Sequence, residues 1–171
     1  MRYREPDQEL LARLQSHLRW LRSHGEEGER LSLQGADLGA LRLAGLTLEH
    51  ADLGNARLVG AQLAQSRLAG IRLFRADLSG ARLMHADLSR ANLIGACLHQ
   101  AQLTGAILVS ARLNLARLTG ADLYDANLSG ADLTRADLSG ADLRKARLDG
   151  ARLGEAKLDG ALLEGVRGLT P

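Results

Sequence analysis

The sequence predicts an all-β fold, a polygonal solenoid wound from one short phrase with an α-helix at its start. Three observations carry that expectation. A Leu recurs at every fifth position from Leu33 to Leu163, through 27 consecutive units. Ala stands two places before it in 22 of the 27, the exceptions being Leu31, Leu41, Leu46, Ser66 and Ile71. Gly closes 13 of the units. A repeat this strict is itself the fold signal.

Five-residue spacing excludes a long helix. Each step of five advances about 140° around a helix, so the leucines would spiral over the whole surface and leave no apolar stripe. Within a unit, Ala and Leu are two apart with a polar residue between them. That is the alternation of a short strand segment, two side chains inward and one outward. The remaining two residues must turn the chain, and a glycine in the last place suits the positive φ at the third residue of a type II turn.

The run Ala76–Gly80 "ADLSG", Ala81–His85 "ARLMH", Ala86–Arg90 "ADLSR" and Ala91–Gly95 "ANLIG" resembles the pentapeptide-repeat proteins. Their consensus is Ala, Asp or Asn, Leu and two variable residues. The resemblance covers about four fifths of the chain and implies a right-handed, four-sided (quadrilateral) parallel β-solenoid with 20 residues per coil. Twenty-seven units then make nearly seven coils, a rod ~32 Å long at the spacing of stacked strands. The family often has Phe at the centre, whereas here the residue is always Leu, which implies a slim, uniform core.

Three segments follow in order. Residues 1–30 hold a capping helix and leader, with the helix expected over 6–23. Pro6 suits a first helical position, Glu5, Asp7 and Glu9 favour the positive end of the dipole, and Arg19 and Arg22 the negative end before Gly25. Leu10, Leu14, Leu18 and Leu21 form a stripe that needs a partner, and the open first coil supplies one. His17 and Trp20 are expected to pack beneath this cap. Residues 31–165 form the solenoid. Residues 166–171 are a tail in which the repeat stops.

Composition narrows the rest. The chain has 171 residues, 46% hydrophobic but only 2% aromatic, so Leu and Ala must carry the core. No secretory leader is expected, and no apolar run approaches the roughly 18 residues that span a membrane. The single Cys97 forms no internal disulfide and fits a reducing compartment, taken here as a bacterial cytoplasm in view of the resemblance.

No catalytic, cofactor or metal site is expected. Cys97 and His99 supply only two ligands, too few for a stable metal centre. Asp122 and Asp142 should stack about 5 Å apart, a spacing of carboxylate pairs in retaining glycosidases, yet a convex rod offers no pocket around them. The expected protein is therefore not an enzyme.

Stacking every twentieth residue places opposite charges above one another, for example Asp37, Arg57, Asp77 and Cys97 on one face, and is expected to produce ladder ion pairs. The charge is banded. Residues 71–120 carry a net +4 and residues 121–142 a net −4.

Three functions compete. The first is a rod-like protein-interaction module with an unidentified partner, contacted through Phe74, Ile94 and Leu115 or through Ile107 and Val109. The second rests on resemblance to family members that mimic DNA and modulate or protect type II topoisomerases, gyrase or topoisomerase IV; here only the belt Asp122, Asp125, Asp132, Asp137 and Asp142 would play the phosphate part. The pI of 9.1 and net charge of +2 oppose a mimic along the whole length. The third, ranked last, is nucleic-acid binding through Arg72, Arg75, Arg82, Arg90, Arg112 and Arg117, which almost no aromatic residues interleave. At the C-terminal end, Leu162, Leu163, Val166 and Leu169 are expected either to cover the last coil or to form a homodimer contact, as the resemblance to resistance proteins implies.

Overall fold

The structure, a computed structural model, describes residues 3–169. Its repeated part is a stack of parallel β-bridges that each join residue i to residue i + 20, from Ser32 with Asp52 to Arg147 with Arg167. Four units therefore complete one turn, giving four faces and four corners. Face A carries Ser32, Asp52, Arg72, Asn92, Arg112, Asp132 and Arg152; face B carries Asp37 through Lys157. Face C carries Arg42 through Leu162, and face D Thr47 through Arg167.

Five residues form one side and one corner because of where the backbone N–H groups go. In the unit Ala76–Gly80, Asp77 donates to Ala56 of the preceding coil, and Leu78 and Gly80 donate to Cys97 and His99 of the next. Ala76 donates to Leu73 across the turn behind it. Positive φ occurs at the fifth residue, which is the third residue of that turn, as a type II corner requires. Fourteen of these corners hold a residue other than Gly, with φ between 52° and 60°. Stacking thus imposes left-handed geometry on side chains that resist it, at about 1–2 kcal/mol each.

Leu and Ala fill the interior. The central leucines from Leu48 to Leu148 are at most 2% exposed, and full burial of such a side chain contributes about 1.5–3 kcal/mol. Ser66, in an Ala place, is buried too and satisfies its hydroxyl on the Leu63 carbonyl. The bulkier Leu31, Leu41 and Leu46 sit in the first coils beneath the helix.

The helix α1 is Gln8–Arg22, and Asp7 caps it by accepting the Leu10 N–H at 2.8 Å. Pro6 therefore lies before the N-cap rather than inside the first turn. Ahead of α1, Arg4 pairs in parallel with Leu41, its N–H donating to Ala40 and its carbonyl accepting from Arg42. One edge of the first coil is thus closed by backbone, and Leu10, Leu14 and His17 of α1 lie buried over the rest. His17 Nδ1 accepts the Leu31 N–H at 3.1 Å, and its ring stacks on Trp20 at 5.8 Å. An accepting Nδ1 requires the neutral imidazole.

Burial lowers the His17 pKa from 6.5; the nearby Arg30 and His50 add to this, while the Glu49 backbone carbonyl and carboxylate oppose it. The unfolded chain therefore binds the proton more readily than the folded one. Stability contributed here is complete above pH 6.5 and declines as the pH falls below it. Trp20 is the sole tryptophan, so its fluorescence reads this cap directly. Acidification from pH 7 to 5 is expected to loosen α1 and shift Trp20 emission to the red, and His17→Asn, whose amide oxygen stands at the Nδ1 place and does not titrate, should flatten that response. Emission that is pH-independent in the unaltered protein would contradict the assignment.

Candidate interaction surface

One N–H per unit has no backbone partner, that of the fourth residue. In ten of the 27 units the side chain two residues earlier supplies it. All ten Asp or Asn residues in the second place accept this N–H, at 2.9–3.3 Å: Asp37, Asp52, Asp77, Asp87, Asn92, Asp122, Asn127, Asp132, Asp137 and Asp142. These are Asx turns. Where the fourth residue is Ser or Thr its hydroxyl can donate to the same oxygen, as Ser79, Ser129, Thr134 and Ser139 do at 2.6–2.7 Å. The recurrent "ADLS" and "ADLT" are corner locks.

The expected ladder pairs form at some of these positions and not at others. Asp37 with Arg57 at 3.1 Å, Asp52 with Arg72 at 3.5 Å and Asp132 with Arg152 at 3.6 Å do pair along the stack. Asp77 and Asp137, however, direct the same oxygen to the Ser two places on, and neither forms an ion pair within 4.0 Å. A nearby N–H fixed by the corner outcompetes a solvated guanidinium on a flexible stem.

The acidic belt is held by the same device. Asp122 accepts from Tyr124 N–H and from the Thr104 hydroxyl, while its ladder neighbour Asp142 accepts from Arg144 N–H and guanidinium. The two carboxylates thus have separate partners. Asp132 lies on face A, Asp137 on face B, Asp122 and Asp142 on face C, and Asp125 at a corner with φ 56°. The belt is a girdle around the rod. Hydrogen bonds from Thr134 and Asn114 hold the Asp132 carboxyl down at about 2, and the Ser139 hydroxyl and the Arg144 guanidinium lower Asp137 and Asp142.

The apolar candidates separate. Ile107 on face D is 40% exposed and Leu115 on the corner between faces A and B is 57% exposed. Phe74, Ile94 and Val109 are half-buried. The Phe74 ring lies over Gly54 one coil back, where any Cβ would overlap it. Phe74 is thus half-buried because a glycine twenty residues away receives one side of its ring. His50 and His85 lean in the same manner over Gly70 and Gly105.

At the C-terminal end, Val166 and Arg167 continue the stack: Arg167 N–H donates to Ala146 and its carbonyl accepts from Leu148. Residues up to Leu169 thus do not fold across the last coil. Leu162, Leu163 and Leu169 are 49%, 38% and 38% exposed.

Cys97 Sγ lies 3.1 Å from the Ser79 hydroxyl and His99 Nδ1 lies 2.8 Å from that of Thr119, so the two share no ligand position. Among the described residues no three His, Cys, Asp or Glu side chains group as metal ligands, and no helix is long and apolar enough to cross a membrane. A cleft between Arg4, the start of α1 and the first coil is lined by Asp7, Arg13, Asp37 and Leu41. None of the residues proposed from sequence for partner contact lies in it.

A coil of four sides, cornered by type II turns and locked by Asx bonds, defines a class of flat-faced β-solenoids. Residues 32–70, 71–109, 96–135, 111–150 and 126–165 match the model for pentapeptide repeats, in eight copies, and the chain belongs to that family. Its members form right-handed quadrilateral β-helices. None of the curated proteins matches the chain.

Among solved structures it is similar to a pentapeptide repeat protein of the Arabidopsis thaliana thylakoid lumen, 36% identical, with a TM-score of 0.41. That match covers 53% of this chain and 59% of the other, less than two thirds of its length. HetL of the cyanobacterium Nostoc, a protein involved in regulating heterocyst differentiation, is 28% identical over 88% of this chain and 92% of its own, with a TM-score of 0.36. QnrB1, a plasmid-mediated fluoroquinolone resistance protein, is 20% identical over 81% and 91%, with a TM-score of 0.27.

Removing one Asx lock tests its weight. Asp132→Ala should cost about 1 kcal/mol by leaving the Thr134 N–H unpaired, whereas Asp132→Asn should retain most of it. Because the folded carboxyl titrates at about 2 and the free one at 3.8, its stabilisation is full above 3.8 and lost as the pH falls toward 2. Thermal melts between pH 5 and 2 should show this acid loss in the unaltered protein and a smaller one in Asp132→Asn.

Proposed function

We propose that the protein is a non-catalytic interaction module, a rod that presents flat faces to another protein. The observation that carries this reading is the division of labour within each unit. First, third and fifth residues build core and corner, an Asp or Asn in the second place of ten units locks the fourth, and the side chains left over face outward on flat sides. The single half-buried Cys97 supports placement in a reducing cytoplasm.

A second reading, a DNA-mimicking modulator of gyrase or topoisomerase IV, draws on the Asp belt, whose depressed pKa values at Asp132, Asp137 and Asp142 keep it charged. Against it stand the pairing of Asp132 with Arg152 and of Asp142 with Arg144, and the spread of the girdle over three faces. The readings part in a supercoiling assay with purified gyrase, with and without a quinolone. The interaction-module reading predicts no change with correctly folded protein. Inhibition or drug protection at near-stoichiometric protein, lost in Asp122→Arg with Asp142→Arg, would place the mimic first.

The uncovered last coil supports a homodimer through the C-terminal end, with Leu162, Leu163 and Leu169 as its apolar contact and Val166 beside them. Sedimentation equilibrium should give twice the monomer mass at micromolar protein. Leu163→Lys should return the monomer with unchanged circular dichroism; a monomer at all concentrations in the unaltered protein would exclude this contact.

A further inference from the structure

Face A changes character in the middle of the rod. Residues 69–75, 89–95 and 109–115, three stacked sides with their flanking corners, contain four arginines and no acidic residue. Arg72, Arg75, Arg90 and Arg112 are all exposed. Among the described residues only Arg72 of these has a carboxylate within 4.0 Å, and it shares Asp52 with Arg30.

The acidic groups that border the face along the stack already have partners. Asp52, 3% exposed, is occupied by Gln34 and the Gly54 N–H. Asp132, one coil beyond Arg112, is held by Thr134, by Asn114 at the edge of the patch and by Arg152. At the centre of the patch the corner lock is Asn92, which accepts the Ile94 N–H without adding a negative charge. Asn therefore does the structural work of Asp without a negative charge between Arg72 and Arg112. Along one edge run Phe74, Ile94 and the 57% exposed Leu115, an apolar border beside the positive charge.

We propose that this part of face A docks an acidic segment of a partner protein, its carboxylates on Arg72, Arg90 and Arg112 and its apolar side chains along the Ile94 and Leu115 edge. The proposal rests on the interaction-module reading and gives that partner a chemistry. Arginine suits it because the planar guanidinium binds carboxylates in bidentate fashion and is weakly hydrated. Arg72 and Arg112 lie two coils apart, about 10 Å, so several carboxylates engage at once. A protein partner fits better than nucleic acid, since single strands need exposed rings to stack on and Phe74 is laid against Gly54.

The test uses the full chain and two fluorescein-labelled probes, a peptide of alternating Glu and Leu and a DNA duplex of about 20 base pairs, read by anisotropy at near-physiological salt. The peptide should bind saturably, and Arg90→Glu with Arg112→Glu, neither of which breaks an ion pair, should weaken it by about tenfold or more with unchanged circular dichroism. Lys157→Glu, on face B, should leave it unaltered. Absence of saturable binding, or an equal loss on Lys157→Glu, overturns the docking face and leaves the interaction-module reading standing. Duplex bound more tightly than peptide, and lost on the same double reversal, overturns both.

Discussion

The structure depends on where five backbone N–H groups find acceptors. Three reach neighbouring coils, one closes the corner behind it, and the last is left for a side chain. Since a buried or half-buried amide without a partner costs about as much as a lost hydrogen bond, Asp or Asn is favoured in the second place, and ten of the 27 units have it. The apolar interior follows from the same geometry, because each three-residue side turns its first and third side chains inward, and these are nearly all Leu and Ala. Coils are supported by their neighbours, and the helix over the first coil takes the place of a missing neighbour.

Much of this was legible from residues alone. Leucine spacing excluded a helix, Ala–x–Leu alternation gave the sides, and glycine in the last place located the corners. Corner geometry nonetheless proved more general than glycine: Leu115, Arg90 and Glu155 adopt positive φ without it, because the turn is dictated by hydrogen bonds on both sides. The helix was readable as a cap, whereas the strand-like pairing of Arg4 with Leu41 was not, since a single bridge leaves no periodic trace.

Site residues were less legible. Charge reads in a sequence as charge, and Asp77 or Asp137 beside an arginine twenty residues away looks like an ion pair. Their actual partner is an amide two residues on, and the Ser or Thr in the fourth place was the signal that could have revealed it. Likewise Phe74 looked exposed by its place in the unit. Only the knowledge that Gly54 lies directly beneath it explains why one side of its ring is covered. Faces, by contrast, follow from numbering modulo 20, which is why the arginines of face A can be assigned to one surface at all.

The stack runs in unbroken phase from the helix to Arg167, with no loop to absorb a change in length. Gain or loss of a single five-residue unit would therefore turn everything beyond it by a quarter of a revolution. Arg112 would leave the side it shares with Arg72, and the rod would fold as well as before while its surface was dealt out anew. A change of twenty residues would restore the alignment and alter only the reach. Tandem duplication and deletion, the ordinary accidents of repetitive genes, are thus a combination lock for this protein, with the core indifferent to the setting and each setting a different face.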